Sequence, residues 1–193
     1  MAKLTRKDLY SLEQYAEVRA DFRRKVIEHK KHRRLALDEH ITLYFEDALT
    51  VQYQIQEMLR IERIFEAAGI QEELDVYGPL IPDGHNWKAT FMVEYADEAE
   101  RKQALARLIG IEDTVWLQVG EHARIYAIAN EDLDRTAPDK TASVHFMRFE
   151  LTPAMQADAQ SGVKLLTGSD HPACKITCEV PEAVRASMVA DLA

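Results

Sequence analysis

The stretch VWLQVGEHARIYAI, residues 115–128, decides the fold class of this chain. Val115–Val119 and His122–Ile128 are rich in the β-branched and aromatic residues that favour strands. Between them lie Gly120 and Glu121, a two-residue loop with glycine first, which suits a type II′ turn and predicts an antiparallel hairpin. Because parallel strands need a long crossover instead, this stretch favours an α+β fold over a doubly wound parallel sheet.

The rest of the chain predicts a second hairpin, further strands and several helices. Leu35 and Leu37 precede the polar turn Asp38-Glu39, and apolar alternation resumes at Ile41. Further strands are predicted at residues 87–95, 141–151 and 175–180, with a polar connector at 130–140. Helices are predicted from Thr5 or Ser11 to about His32, from about Asp47 to Ala68 with Gly69 closing it, from Asp97 to Gly110, from Thr152 to Gly162, and from Pro181 onward. We therefore predict a mainly antiparallel sheet with hairpins, packed by about four to five helices.

Length and composition point to a folded protein without a membrane or secretory role. The chain has 193 residues, of which 47% are apolar and 30% are charged, which are ordinary values for a globular protein. No apolar stretch approaches the roughly 20 residues that span a bilayer, and the N-terminal residues lack the apolar core of a signal peptide. We expect residues 1–193 to form a single α+β domain in the cytoplasm.

A basic block at residues 23–34 contrasts with the formal net charge of −9. The block carries seven lysine and arginine residues against one acid, Glu28. It lies at the C-terminal end of a predicted helix, where cations offset the helix dipole. A solvated helix end, a site for an acidic partner and a nucleic-acid site are all open, and we favour the first. No nucleic-acid binding is expected, since the acids elsewhere oppose it.

The helix predicted at residues 47–68 carries a row of polar side chains. Tyr53, Gln56, Glu57 and Arg60 follow the i, i+3, i+4, i+7 spacing that places side chains on one helix face. Arginine binds anions with a fork of donors, while glutamate and tyrosine exchange protons. The row is thus a candidate ligand site, although an exposed, solvated helix face has the same pattern.

Two further candidates lie on predicted strands. The turn IPDGHNWK at residues 81–88 places an aromatic and two basic groups at the mouth of a strand, where Trp87 either contacts a ligand or covers the edge of the core. Arg148 and Glu150 share a strand face opposite Met147 and need partners, either each other or the helical row described above. The candidate ligand-binding residues are therefore Tyr53, Gln56, Glu57, Arg60, Trp87 and Arg148.

We expect neither a metal nor a cofactor, since glycine-rich phosphate loops, HExxH, CxxC and GxSxG are missing from the sequence. Cys174 and Cys178 lie four apart on a predicted strand, which separates their Cα atoms by about 13 Å and rules out a disulfide. His29 and His32 are surrounded by cations that would repel a metal ion. His145 shares a strand face with apolar residues, which favours a core histidine.

Four sequence runs taken together resemble a known family. They are FEDALTVQYQIQEMLRIE at residues 45–62, LIPDGHNWKATFMVEY at 80–95, VHFMRFELTPAM at 144–155 and DHPA at 170–173. In this order they are similar to a bacterial domain-of-unknown-function family, family 3501, and the resemblance extends from Leu4 to the end. Members are typically encoded beside rubrerythrin-like proteins and an iron–sulfur oxidoreductase, which implies a redox or peroxide-stress context. The family supplies no functional residues to transfer.

Two hypotheses about function follow. The resemblance implies an accessory or binding protein of an oxidative-stress redox system, without its own metal, whose partner is a rubrerythrin-like or iron–sulfur oxidoreductase protein. The alternative is a small-molecule enzyme or anionic-ligand binder with a polar pocket around Tyr53, Glu57 and Arg60. An exposed apolar patch would favour the first hypothesis, and a cavity lined by the candidate residues would favour the second.

Overall fold

The computed structural model describes residues 3–131, 135 and 137–193, so part of the connector predicted at residues 130–140 lies outside it. Six α-helices and nine strands occupy the described residues. The helices are α1 (Leu12–Lys30), α2 (Ala48–Glu62), α3 (Ala67–Tyr77), α4 (Glu98–Arg107), α5 (Pro153–Gln160) and α6 (Glu182–Val189). The strands are β1 (Arg34–Ala36), β2 (Ile41–Phe45), β3 (Asn86–Val93), β4 (Val115–Val119), β5 (Ile125–Tyr126), β6 (Ile128–Ala129), β7 (Val144–Glu150), β8 (Leu165–His171) and β9 (Cys174–Glu179).

The strands form two antiparallel sheets, which confirms the α+β fold class. One sheet has the order β1-β2-β3-β7-β6 and the other β5-β4-β8-β9. Both sheets contribute to one apolar cluster that includes Leu43, Phe91, Leu117, Phe149 and Leu165. Because side chains alternate along a strand, the opposite face of the five-stranded sheet is left for other contacts.

Helix starts agree with the capping residues in the sequence. The side chains of Ser11, Asp47, Asp97 and Thr152 each accept a hydrogen bond from a backbone N–H of the first turn of their helix. Thr5 begins only a short 3-10 turn, so Ser11 is the cap of α1. These local bonds satisfy donors that a helix leaves free, which is why the starts were predictable.

The single helix predicted at residues 47–68 is wrong, because two helices occupy this region. Arg63 adopts the left-handed conformation with φ 57° and ends α2, and the N–H of Ile64 donates to the Leu59 carbonyl at 2.9 Å. Gly69, which was predicted to close the helix, lies inside α3. Its missing side chain admits Ile64, since a Cβ there would be 2.7 Å from the Ile64 Cγ2.

The hairpin at residues 115–128 exists, but its details differ from the prediction. Leu117 pairs with Ile125, whereas the predicted two-residue turn would pair it with Arg124. The loop between the strands is therefore one residue longer than predicted. The second strand is also divided at Ala127, because β5 pairs with β4 whereas β6 pairs with β7 in the other sheet. The segment thus carries the chain from one sheet to the other. Strand β8 was not predicted.

Helices α1, α2 and α3 form a layer with apolar clusters of its own. Val51, Ile55 and Leu59 of α2 pack with Leu74 of α3. Tyr15, Phe22 and Val26 of α1 make a second cluster, which Tyr53 contacts. No helix of the described chain combines the length and the apolar character needed to cross a membrane.

Candidate functional site

Glu57 is the centre of the polar row on α2, and its partners come from α1. Its carboxylate accepts a hydrogen bond from the buried Tyr15 hydroxyl at 2.7 Å. Arg19 donates to both oxygens, from Nε at 2.7 Å and from Nη2 at 2.9 Å. Arg60 adds one bond at 3.0 Å along the same helix. Glu57 is therefore held by three side chains, two of them on another helix.

These contacts fix the protonation state of the site. The Arg19 hydrogen bonds, followed by those of Tyr15 and Arg60, lower the pKa of Glu57 from 4.5 to about 2, although burial acts in the opposite direction. Burial and the Glu57 carboxylate raise the pKa of Tyr15. At neutral pH the glutamate is thus ionised and the tyrosine is protonated. An acid whose bonds are already made to its own protein is poorly placed to bind a ligand.

The other two members of the row contact α1 and the residues just before it. Gln56 is fully buried, and its side chain accepts from the Tyr10 N–H at 2.6 Å and donates to the Tyr10 carbonyl at 3.4 Å. Tyr53 packs against Phe22 of α1, with 6.0 Å between ring centroids. The described contacts of this row thus join two helices, and they do not enclose the pocket that was hypothesised around Tyr53, Glu57 and Arg60.

Trp87 and Arg148 are not part of the row, and their side chains point to opposite faces of the five-stranded sheet. Trp87 is fully buried and donates from Nε1 to the Met188 carbonyl at 2.8 Å, so its ring is a core element out of reach of a ligand from solvent. Arg148 pairs with Glu150, as one of the two sequence alternatives predicted, and also with Glu131. The six candidate residues therefore do not form one site.

A groove between the helical layer and the outer face of the five-stranded sheet is the stronger candidate. We call it the inter-layer groove; its volume is about 860 Å³, and α3, the turn after it, β3 and β7 contribute most of its walls. Its charged side chains are Lys88, Arg135, Arg148, Asp75, Asp83, Glu131 and Glu150. Its apolar and aromatic surfaces include Val76, Tyr77, Leu80 and Phe146. Of the sequence-predicted residues, only Arg148 lines it.

Two cationic side chains lie side by side on the floor of the inter-layer groove. Lys88 on β3 is the register partner of Arg148 on β7, so both side chains emerge side by side on the same face. Like charges directly opposite across strands are destabilising, and such exceptions to local rules concentrate at functional sites. The Lys88 ammonium donates to the Pro79 carbonyl at 2.6 Å. Burial, and secondarily Arg148, lower the pKa of Lys88, against the pull of Asp83.

Arg148, in contrast, is compensated. Arg148 makes a bidentate interaction with Glu131, donating from Nε at 2.9 Å and from Nη2 at 2.8 Å, and its Nη1 donates to Glu150. These bonds raise the pKa of Arg148 and lower that of Glu131. The fully buried Asn86 donates to Asp83 at 2.9 Å and to Glu150 at 3.3 Å. A connected polar network therefore supports one wall of the groove.

The cysteines and the buried histidine occupy structural positions. Cys174 and Cys178 both lie on β9 as free thiols. Burial raises the pKa of Cys174 to about 11, which disfavours the reactive thiolate. His145 is fully buried and bonds Thr141 at 2.8 Å and Asn130 at 3.0 Å, which confirms the interpretation as a core histidine. Within the described ranges, no three His, Cys, Asp or Glu side chains group as metal ligands would.

Glu57 and Arg60 are expected to differ sharply in their effect on stability. Glu57→Ala leaves the buried Tyr15 hydroxyl and the Arg19 fork without an acceptor, and should cost about 2–4 kcal/mol of unfolding free energy. Arg60→Ala removes one bond from a side chain that is 41% exposed, and should cost less than about 0.5 kcal/mol. Denaturant melts of the two variants measure both values.

Acidic pH provides a control for this assignment. Because the folded-state pKa of Glu57 is lowered, its contribution is complete above its ordinary pKa of 4.5 and is lost as the pH falls towards 2. The difference between wild type and Glu57→Ala should therefore shrink over that interval. A constant difference from pH 7 to pH 3 would contradict the proposed role of the carboxylate charge.

Comparison with known proteins agrees with the sequence resemblance. Residues 3–192 match the family described as "Protein of unknown function (DUF3501)". The crystal structure of a novel protein of unknown function from Burkholderia pseudomallei K96243 is similar, with 50% sequence identity, a TM-score of 0.95 and coverage of 100% of both chains. No curated protein matches the sequence. The chain therefore belongs to the DUF3501 family of proteins of unknown function.

Proposed function

We propose that this protein binds a small organic molecule with an apolar body and an anionic group, in the inter-layer groove. The observation that carries the proposal is the juxtaposition of Lys88 and Arg148 on neighbouring strands at the floor of that groove. The alternative hypothesis from the sequence is thus kept as to ligand class, but its site moves from the helical row to this groove.

The size and surface of the groove support a small ligand. Small-molecule sites typically measure about 300–1,000 Å³ and combine apolar walls with a few polar groups. The inter-layer groove, at about 860 Å³, lies within that interval. Tyr77, Leu80 and Phe146 offer apolar contacts on its walls, and the polar groups are grouped around Lys88.

The Lys88 ammonium supports a ligand that is anionic at one end. Glu131 and Glu150 both bind Arg148, so each carboxylate already has a protein partner, and the pair shares one guanidinium charge. Asp83 accepts hydrogen bonds from the His85 N–H and from Asn86. Lys88 has no ion pair among the described residues and bonds a neutral carbonyl instead. A ligand carboxylate, sulfonate or phosphate would give this ammonium the charged partner that it lacks.

The redox association stays a prediction. The accessory role beside a rubrerythrin-like or iron–sulfur oxidoreductase partner was implied by the family resemblance, and no feature of the fold tests it. Ligand binding in the groove is compatible with such a role, since an accessory protein can carry a small molecule for its partner.

An aromatic sulfonate provides a direct test. 8-Anilinonaphthalene-1-sulfonate has an apolar body and one anionic group, and its fluorescence rises in apolar sites. We expect saturable binding to the wild type, weakened about tenfold in Lys88→Gln by loss of a charge-assisted hydrogen bond of about 1.4 kcal/mol. Affinity should also fall as salt increases.

Lys175→Gln is the matched control, because Lys175 is an exposed lysine on strand β9 of the other sheet. It should bind the probe as the wild type does. Circular dichroism and denaturant melts establish that both variants are folded. Equal affinity of Lys88→Gln and the wild type at low salt would overturn the proposal.

A further inference from the structure

We infer that Lys88 is a nucleophilic amine, which forms an imine with a small aldehyde or ketone that bears an anionic group. The inference rests on the proposed function of the inter-layer groove and names the chemistry of its ligand. It goes beyond binding, because a carbonyl compound would be held through a covalent bond.

The position of the amine is fixed by the fold. Lys88 lies within β3, which is paired with β2 on one side and with β7 on the other. Its own carbonyl accepts the Glu46 N–H at 2.8 Å, and its Nζ is held by the Pro79 carbonyl at 2.6 Å. A nucleophile on a central strand is placed more accurately than one on a loop. The bond to Pro79 also orients the nitrogen without neutralising it with a carboxylate.

The surroundings favour the neutral, reactive form of this amine. Burial disfavours the ammonium, and the Arg148 guanidinium next to it acts in the same direction, so the pKa of Lys88 is lowered. A lysine beside a second cation in a partly desolvated site is a known way to activate an amine. The charged groups that act on it are Arg148, Asp83, Glu131 and Glu150, and Asp75 and Arg135 also line the groove. Asp83, Glu131 and Glu150 raise the pKa of Lys88 and limit the effect.

The reaction needs only the carbonyl compound. The nitrogen lone pair of Lys88 attacks the carbonyl carbon and forms a C–N bond, which gives a carbinolamine. The C–O bond then breaks, and the oxygen leaves as water with the two protons that the nitrogen loses. No oxidant or reductant is involved. The anionic group of the ligand would then lie beside the Arg135 and Arg148 guanidinium groups, which also line the groove, and this would hold the carbonyl near Lys88.

Pyridoxal 5′-phosphate is a suitable probe, since it combines an aldehyde, an aromatic ring and a phosphate. Wild-type protein is incubated with substoichiometric probe, and the imine is then reduced with borohydride and located by peptide mass spectrometry. We expect labelling at Lys88 to exceed that at any other lysine by about tenfold. Its rate should rise with pH and reach half-maximum below pH 10.5, the ordinary pKa of a lysine side chain.

Two variants make the result interpretable. Lys88→Arg keeps the positive charge but has no nucleophilic amine, so it should lose the adduct while still binding 8-anilinonaphthalene-1-sulfonate. Lys175→Arg should label as the wild type does. Labelling spread over exposed lysines would overturn the inference.

The inference and the proposed function fail in different ways. If the sulfonate probe depends on Lys88 and pyridoxal 5′-phosphate displaces it without a borohydride-stable adduct, the groove binds anions but Lys88 is not a nucleophile. If Lys88→Gln leaves sulfonate binding unchanged, the proposed function fails, whatever the labelling result.

Discussion

Arg33→Ala is expected to lower the free energy of unfolding by about 3–5 kcal/mol, because it leaves a buried carboxylate unpaired. Arg33 is only 2% exposed, and its Nη2 lies 2.5 Å from the Asp191 carboxylate. It also donates to the carbonyls of Phe45 at 3.1 Å, Ser187 at 2.8 Å and Glu46 at 2.9 Å. One side chain thus ties the end of β2 to helix α6 and the chain after it.

Arg23→Ala is the matched control, since Arg23 is an exposed arginine of the same basic block. Its substitution should change stability by less than about 0.5 kcal/mol. Denaturant melts compare the two variants, and near-ultraviolet circular dichroism shows whether Arg33→Ala keeps its native packing. Equal stability of both variants would mean that Arg33 does not join α6 to the sheet.

Gly168→Ala should have an effect of similar size, about 3 kcal/mol or more, because a methyl group has no room at this position. A Cβ on Gly168 would lie 2.0 Å from the Ile176 carbonyl oxygen and 2.8 Å from the Trp116 ring. The first of these atoms belongs to the backbone of the neighbouring strand β9. To accept alanine, β8 and β9 must separate, which disrupts the pairing that runs from Leu166–Glu179 to His171–Cys174.

Gly162→Ala separates this steric effect from an effect of backbone conformation. Gly162 has φ +97°, and a Cβ added to it would have no atom within 4 Å beyond its two chain neighbours, so alanine there meets backbone strain but no tertiary clash. That strain should cost about 1–2 kcal/mol. Thermal unfolding of both variants gives the ranking, and a smaller loss for Gly168→Ala than for Gly162→Ala would contradict the explanation.

The basic block shows why charge patterns are hard to interpret from sequence. Arg23, Lys31 and Arg34 are exposed, as the solvated helix end requires. Arg33, in the same run, is one of the most buried side chains of the protein. Its partner Asp191 is more than 150 positions away along the chain, and no local pattern predicts an ion pair over that separation.

The candidate site was only partly predictable for the same reason. Helical spacing correctly placed Glu57 and Arg60 together on α2, where they bond each other. The spacing did not predict that Tyr15 and Arg19 of α1 donate hydrogen bonds to Glu57. Lys88 was recognised as a basic group of the turn at residues 81–88 but was not among the predicted ligand-binding residues. Its significance comes from its position beside Arg148 on the neighbouring strand, and the sequence does not show which residues of two strands are paired.

Local chemistry in the sequence determined most of the helical and strand segments, and where most helices begin. A capping side chain such as Asp47 or Thr152 bonds a backbone group only three residues away, so its effect can be read from a few adjacent letters. Tertiary structure decided the rest: the end of α2 at Arg63, strand β8 around Gly168, the division of the strands between two sheets, and the inter-layer groove. Each of these depends on contacts between distant segments, where packing against a neighbour outweighs the weak local preferences of the chain.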